Sequence, residues 1–436
     1  MTHSADTTGS PERGVHRGKH LPSWAPTALV SLVVAFAVLA YYWWVWGSLN
    51  GFVEAVDWYT KPFGDFAIFY YKMGQRVLES SGAVPGFYYS PGFAVALGLF
   101  GFFNAQTALV LWGGIQVLAV AALAGLSHRA AMGAHLHGFP LSLLLVLTSF
   151  PVLHNFAWGQ ASIFLVLALL AGLLMAERKR WIGAALFLTL AAAIKYYPVV
   201  FLIPFLIRKN WKLAAQFLGL TAILTVILPA LVLGWRETIG LYAFLLQKSH
   251  NVQLAAGGPN SQYVVNVLMR WLSPAKEWIE PVRFGIAAVG FLIVEANVII
   301  MVFLRRRNEI SFTRWSVLLL FLSIPFFVST SWPHYLVYIP FCQLFLYREL
   351  TAEHQSRPIG DMVSMILLAT SVGLSSVFAF QVAGSWQAYN GWGLLFLSNA
   401  LMLGIAYRQL LPQLGEELRR QGTGRRVGTT GGERVG

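Results

Sequence analysis

The sequence contains little charge and almost no cysteine. Charged residues make up 11% of its 436 residues, whereas hydrophobic residues make up 57% and the mean hydropathy is +0.61. A soluble globular protein needs a more charged surface, so this composition excludes that class. The single cysteine, Cys342, excludes an internal disulfide and a cysteine-based metal site.

The apolar residues form about a dozen runs separated by short polar connectors, without the alternation that an outer-membrane barrel requires. The sequence therefore predicts an all-α integral membrane protein, a multi-span helical bundle with about 12 transmembrane helices. The first run follows a polar tail and is long enough to span, which favours a retained helix over a cleaved signal peptide. We expect a polar tail at 1–24, a transmembrane domain at 25–408 and a disordered basic tail at 409–436.

The net charge of +13 could suggest nucleic acid, but Lys and Arg cluster beside the apolar runs. This distribution is typical of cytoplasmic loops, so it indicates topology and implies no nucleic-acid partner. We expect a multi-pass protein of the cell membrane with both termini in the cytoplasm. The predicted spans are 25–47, 107–127, 140–153, 161–176, 181–194, 199–207, 212–234, 284–304, 315–331, 335–348, 360–382 and 391–408.

Two segments need special treatment. The run between the basic clusters at 178–180 and 208–212 has to be broken, and Lys195-Tyr196-Tyr197-Pro198 supplies the break because proline cannot continue a helix. We therefore place Lys195 at the outer turn of two half-helices. The long first external loop, 48–106, is expected to hold an interfacial helix that starts near Asp65 and a re-entrant or surface helix at 91–103.

Under this topology, polar residues from separate loops collect on the outer side. They supply carboxylate, ammonium, imidazole and amide groups, a set that a purely structural bundle does not need. The residues are Asp57, Asp65, His154, Asn155, Gln160, Lys195, His250, Asn260, Ser261, Gln262 and His334.

Five short motifs in this order resemble glycosyltransferase family 87. They are Gly64-Asp65 with Tyr70-Tyr71, Tyr88-Tyr89-Ser90-Pro91, Trp158-Gly159-Gln160, Ala193-Ile194-Lys195-Tyr196-Tyr197-Pro198 and Ser331-Trp332-Pro333-His334-Tyr335. The family usually has a double proline where Ser90-Pro91 stands, and an Asn is common where Ala161-Ser162 follows Gln160. These departures concern the substrate subtype more than the reaction class.

The resemblance implies the GT-C fold and a membrane glycosyltransferase of the cell envelope that uses a polyprenyl-phosphate sugar. Family members include mannosyl- and arabinosyltransferases, and we expect mannose to be transferred, with inversion, to a lipid or glycan acceptor on the extracytoplasmic face. The lipid donor is a co-substrate, and no cofactor is expected. Asp57 and Asp65 do not form a recognisable cation cage, so no metal ligand is predicted and metal dependence stays open.

The reaction suggests a role for each candidate residue. Asp65 suits the general base, with Asp57 as the second choice. Lys195, with Tyr196, and His334 suit the phosphate, and His334 could also assist the base. The residues expected to bind sugar or acceptor are Tyr70, His154, Asn155, Trp158, Gln160, Asn260, Gln262 and Trp332.

Two other functions stay open at this point. A transporter or flippase of a lipid-linked sugar would give a central role to Glu295, an acid in the middle of a predicted span. Such a protein should show repeated halves with matching broken helices, whereas the sequence has one clear break. A structural scaffold of the envelope is the other alternative, but it gives no reason for the outer polar residues.

Overall fold

The structure is a computed structural model, which describes residues 24–56, 61–134, 136–255, 258–353 and 358–427. It is 83% helical, and these residues contain no strand, only an isolated bridge between Ser149 and Ser376. The predicted all-α class is therefore confirmed.

The α-helices are numbered in chain order. The first ten are α1 (Ala25–Trp46), α2 (Leu49–Val56), α3 (Tyr71–Leu78), α4 (Pro91–Gly101), α5 (Ala105–Met132), α6 (Phe139–Thr148), α7 (Phe150–Trp158), α8 (Ser162–Glu177), α9 (Trp181–Ile194) and α10 (Ile203–Ile207). The others are α11 (Trp211–Ala222), α12 (Leu228–Leu233), α13 (Trp235–Ala255), α14 (Val264–Leu272), α15 (Ile279–Leu304), α16 (Glu309–Phe327), α17 (Ile339–Glu353), α18 (Pro358–Leu374), α19 (Val377–Ala383), α20 (Trp386–Gly391) and α21 (Leu394–Val427).

Six helical segments among the described residues are long and apolar enough to cross a membrane. They are Ala25–Trp46, Ala105–Met132, Trp211–Leu233, Lys276–Leu304, Glu309–Phe327 and Leu394–Gly415. Six shorter apolar helices, of 10–17 residues, fall below the length of about 20 residues that a simple span requires. The predicted membrane character is supported, and the predicted number of about 12 spans is not confirmed.

The predicted break at Lys195 is present. Helix α9 ends at Ile194, Lys195 has an extended backbone (φ −136°, ψ 154°), and a 3₁₀ segment then runs from Tyr197 to Leu202. Pro198 lies in the first turn of that segment, where its missing N–H is tolerated. Lys195 therefore lies at a sharp turn between α9 and the chain that leads into α10.

Two segments differ from the sequence-based expectation. The predicted span at 140–153 is divided into α6 and α7, because Pro151 begins a new helix after Ser149 adopts an extended conformation. The last helix continues to Val427, well into the region for which composition predicted disorder.

The first loop is largely helical and packs closely on the bundle. A π-helical segment, Phe66–Tyr70, leads into α3, and α3 lies against α4. Phe66 and Tyr70 are fully buried, and the ring of Phe66 stacks on Trp112 of α5 at 4.7 Å between centroids. This packing fixes the position of Asp65, which directly precedes the π-helical segment.

Several basic residues meet at one end of the bundle. Arg314 forms a bidentate ion pair with Glu177, and Arg208 donates to the carbonyl oxygen of Arg307. Helix α9 runs from this end to Lys195, and α8 runs the opposite way from Gln160 to Glu177. The turns at Gln160 and Lys195 therefore lie together at the other end.

Candidate active site

A cavity of about 410 Å³ opens at the end of the bundle opposite to these basic residues. Residues from seven separate parts of the chain form its walls. The lining residues are Asp65, Phe69, Tyr70, Gly86, Tyr88, Tyr89, Trp158, Gln160, Lys195, Gly258, Pro259, Asn260, Thr330, Trp332, Tyr335 and Trp386.

Asp65 is 5% exposed and is held by Gln160, whose Nε2 donates to its Oδ2. The hydroxyl groups of Tyr70 and Tyr89 lie 2.9 and 2.7 Å from Oε1 of Gln160. Burial raises the pKa of both tyrosines well above the usual value, so both hydroxyls stay protonated and able to donate. Because Oε1 accepts from tyrosine, the NH₂ group of Gln160 must face the carboxylate.

The backbone of Gln160 is fixed by a second set of amides. Nε2 of Gln116 donates to the carbonyl oxygen of Gln160 at 2.8 Å, and Nδ2 of Asn155 donates to Oε1 of Gln116 at 3.2 Å. Oδ1 of Asn155 in turn accepts from the backbone N–H of Ile163. This chain of hydrogen bonds runs from α8 through α7 and α5 to the cavity, so the orientation of Asp65 depends on several helices.

The turn before Gln160 requires glycine. Gly159 has a positive φ of 67°, and a Cβ atom there would lie 2.9 Å from Cβ of Phe63. Its carbonyl oxygen also accepts a hydrogen bond from Nε1 of Trp112 at 2.9 Å. The Trp158-Gly159-Gln160 motif therefore forms a tight left-handed turn that places a tryptophan and a glutamine on the same cavity wall.

Among the residues that the structure describes, Lys195 is the only lysine or arginine that lines the cavity, and it is 7% exposed. Its Nζ lies 3.6 Å from the ring centroid of Tyr335 and 5.0 Å from that of Tyr89. Burial lowers the pKa of Lys195, while Tyr335 and Asp65 oppose this shift. Within the described residues its ammonium group makes no ion pair with a carboxylate, so a ligand anion could approach it directly.

Ser90 joins the tyrosine motif to the broken helix. Its hydroxyl donates to the carbonyl oxygen of Ala193 and also caps the first turn of α4 at the N–H of Phe93. A proline at this position could do neither. The departure from the usual double proline therefore replaces a rigid turn with a polar contact that holds Tyr89 near Lys195.

A loop that includes Gly258 and Asn260 forms another part of the cavity wall. Arg270 donates to the carbonyl oxygens of Gly258 and Ser261, and also to those of Asn390 and Gly391. Nδ2 of Asn390 donates to Oδ1 of Asn260 at 2.8 Å. One guanidinium group thus fixes both this loop and the end of α20, the helix that carries Trp386.

Two buried histidines lie beside the cavity. The rings of His154 and His334 are 5.6 Å apart and nearly parallel, and both pack against Trp158. Within the described residues none of their four ring nitrogens has a hydrogen-bond partner. Burial lowers the pKa of His334 well below the usual value, with Lys195 and His154 contributing, so its imidazole is neutral.

The cavity brings together seven of the residues predicted from the sequence. These are Asp65, Tyr70, Trp158, Gln160, Lys195, Asn260 and Trp332. Asp57 lies outside the described residues. The structure does not bring the other five to the cavity wall; they are His154, Asn155, Tyr196, Gln262 and His334.

These five have other surroundings. Asn155 donates a hydrogen bond to Gln116. Gln262 donates to the carbonyl oxygen of Asn390 and accepts from the backbone N–H of Phe396. Lys195 lines the cavity, whereas the side chain of the next residue, Tyr196, is 47% exposed and does not line it. These amides and the tyrosine therefore do not line this cavity, and their binding roles stay predictions.

Sequence reasoning also missed several lining residues. Tyr89 and Tyr335 lie within the family motifs quoted above, so their membership of the same motif set as Lys195 could have identified them. Thr330 directly precedes the last of these motifs, whereas Trp386 lies in a segment with no such signal. Within the described residues no group of three or more His, Cys, Asp or Glu side chains could hold a metal ion.

Comparison with known protein families identifies a family for the chain. The model of glycosyltransferase family 87 matches residues 87–330, which is more than half of the chain. No curated protein and no solved structure matches the chain. The matched range includes Tyr89, Gln160, Lys195 and Asn260, and Asp65 lies before it.

Proposed function

Because the chain belongs to glycosyltransferase family 87, it is a glycosyltransferase, and we propose that it transfers mannose from a polyprenyl phosphate to a lipid or glycan acceptor. The transfer would take place on the extracytoplasmic face of the membrane. The choice of a polyprenyl-phosphate donor and of mannose rests on the family resemblance.

The observation that supports this reaction best is the presence of Asp65 and Lys195 in one cavity. Transfer from a sugar phosphate needs a base for the acceptor hydroxyl and a cation for the leaving phosphate. A buried carboxylate and a buried ammonium group provide these two functions. The lysine has no carboxylate partner among the described residues, which suits a site that receives an anionic ligand.

In the proposed step, the acceptor oxygen attacks the anomeric carbon while the bond from that carbon to the phosphate oxygen breaks. The hydroxyl proton passes to Asp65, and the electron pair of the broken bond leaves with the polyprenyl phosphate. A direct displacement inverts the anomeric configuration. Phosphate is a weak base when it leaves, so a general acid is not required, in contrast to glycoside hydrolysis.

The other residues of the cavity would position the reactants. Gln160 orients the carboxylate of Asp65, and Tyr335 and Tyr89 hold Lys195 by cation–π contact. Trp158, Trp332 and Trp386 offer apolar faces of the kind on which a sugar ring stacks, and Asn260 offers an amide for its hydroxyl groups. His334 is neutral and packs against Trp158 and Tyr335. We propose that it supports these two side chains and does not bind phosphate as a cation.

The extracytoplasmic location is supported by the distribution of charge. The clusters at 178–180, 208–212 and 305–307 lie at the end of the bundle away from the cavity. Basic residues concentrate on the cytoplasmic side of membrane proteins, so the cavity would open on the other side. A flippase would have no need for a base beside the phosphate site, and membership of a glycosyltransferase family also disfavours that alternative.

The test is a transfer assay with the purified protein. It would be supplied with polyprenyl-phosphate mannose or polyprenyl-phosphate arabinose and a panel of lipid and glycan acceptors, with and without a chelator. We expect a mannosylated product only with the first donor, and an unchanged rate with chelator. Product with arabinose alone would refute the sugar, and product only from nucleotide sugars would refute the donor class.

A further inference from the structure

Glu295 lies in the middle of α15, a helix that is long and apolar enough to cross the membrane. At a rise of 1.5 Å per residue it is roughly 14 Å from Leu304, where the apolar run ends at the Arg305–Arg307 cluster. Its short side chain cannot reach the headgroups from that depth. An acid at such a position is costly unless another polar group contacts it.

The side chain points away from the body of the protein. The face of α15 that packs inward is marked by Asn297, whose Nδ2 donates to Oγ of Ser323 at 2.7 Å, and by Gly290, where a Cβ atom would lie 3.0 Å from the carbonyl oxygen of Phe326. Glu295 lies on the other side of the helix and is exposed. Its carboxylate has no partner among the described residues, and the proposed transfer reaction does not use it.

The residues around Glu295 form a continuous exposed stripe, which we call the α15 seam. Its members are separated by four, three, four, four and three residues, the spacing of a helix that packs against another helix. They are Phe284, Ala288, Phe291, Glu295, Ile299 and Val302. The two phenylalanines, Phe284 and Phe291, are 78% and 60% exposed.

We propose that the α15 seam is the contact surface for a second copy of this chain, with the two α15 helices parallel and Glu295 of each copy hydrogen-bonded to Glu295 of the other. Two copies inserted in the same orientation bring this residue to the same depth. A carboxyl group that donates its O–H and accepts at its carbonyl oxygen is complementary to itself. A twofold interface therefore supplies the missing polar partner without any other chain.

The carboxyl group of Glu295 favours this occupant over lipid. Lipid chains satisfy an apolar face but offer nothing to a carboxyl group, whereas a polar side chain at one core position of a helix pair fixes its register. The small side chain of Ala288, two turns from Glu295, allows the two helices to approach closely. The seam lies on the outer face of α15, so this interface does not use the residues that line the cavity.

The proposal can be tested by oxidative cross-linking in native membranes. Wild-type protein is the blank, because its only cysteine, Cys342, is fully buried. Ala288→Cys and Ile299→Cys place a thiol on the seam, and Val289→Cys places one on the same helix at nearly the same depth but off the seam. We expect covalent dimers from the two seam variants and none from Val289→Cys or the wild type.

The role of Glu295 is tested by adding Glu295→Leu or Glu295→Gln to Ile299→Cys. We expect association to weaken about 5- to 30-fold with leucine and less with glutamine, which can still donate and accept. The membrane yield and unfolding temperature of each variant establish that it folds. Equal cross-linking on and off the seam, no cross-linking on the seam, or dimers unaffected by leucine would each overturn the proposal.

Discussion

Gln160 connects the proposed base to two tyrosines, and it can bond all three groups only in one orientation. Replacing Gln160 with leucine removes the donor to Asp65 and the amide oxygen that accepts from Tyr70 and Tyr89. We expect the transfer rate to fall at least tenfold while the KM for the donor changes little, because the contact affects proton transfer more than phosphate binding.

Gln75→Leu is the matched control, since Gln75 is an exposed amide on α3 outside the cavity. Steady-state kinetics for the donor would separate the two parameters. A Gln160 variant with a normal rate and a raised donor KM would mean that this amide binds substrate and does not orient Asp65.

Lys195 should give the enzyme a pH dependence in the alkaline range. Burial lowers the pKa of Lys195 from its usual value. The ammonium group is charged below that pKa and is lost as the pH rises through it, so donor KM should rise on the alkaline side at a lower pH than an ordinary lysine would cause.

Lys195→Arg should move this rise to higher pH, because a guanidinium stays protonated, and Lys195→Ala should weaken donor binding at every pH. Donor titrations from pH 7 to about pH 10 would measure this. Wild-type donor binding in Lys195→Ala would reject the phosphate role of this residue.

The residues that could be predicted from the sequence are those whose chemistry is unusual for their location. Asp65 and Lys195 are charged residues next to apolar segments, so they stand out without a structure. Asn155 and Gln262 have equally suitable chemistry, but hydrogen bonds to buried partners occupy them. Only the helix packing decides which amides face a cavity.

At the scale of the helices, the packing of α3 against α4 depends on glycine. A Cβ atom at Gly74 would lie 2.3 Å from the carbonyl oxygen of Leu97, a backbone atom that cannot move aside cheaply. Gly74→Ala should therefore destabilise the protein by about 1–3 kcal/mol, in the range of other overpacked sites.

Gly114→Ala on α5 is the control, because nothing lies within 4 Å of its added Cβ atom. Unfolding temperatures in detergent should be lowered by the first change and nearly unaffected by the second. Equal stability of the two variants would show that α3 and α4 do not pack as closely as described.

The broken helix at Lys195 predicts that Tyr196 is accessible from outside the cell. Tyr196→Cys should react with a membrane-impermeant thiol reagent in intact cells, since its side chain is 47% exposed. Lys179→Cys and Lys209→Cys should react only after the membrane is opened. Labelling of residue 196 from the inside alone would contradict the location of the cavity.

Helix breaks were predictable where proline and a charge coincide, as at Lys195 and Pro198. The division between α6 and α7 was missed, because Pro151 lies in an otherwise apolar run and no charge indicates which side the chain turns towards. The extension of α21 was missed for another reason. Composition measures average polarity, and a polar segment can still continue a helix that begins in the membrane.

At the scale of the whole molecule, the protein has two chemically different ends. One end holds Arg208, Arg314 and their partners, and the other holds a cavity whose described wall contains one lysine and one carboxylate. This polarity was predictable from the order of charges along the chain. The shape of the cavity was not, because it depends on contacts between segments far apart in sequence, such as Arg270 with Asn390 and Gln160 with Asp65.

The central claim is that Asp65 accepts the proton of the acceptor, and the rate of glycosyl transfer in Asp65→Asn measures it most directly. The amide has nearly the same shape but cannot take the proton, so we expect normal donor binding and a rate lower by about 100- to 10,000-fold. Asp57→Asn, measured in parallel, should transfer at close to the wild-type rate. A wild-type rate in Asp65→Asn, or a large loss confined to Asp57→Asn, would contradict the account.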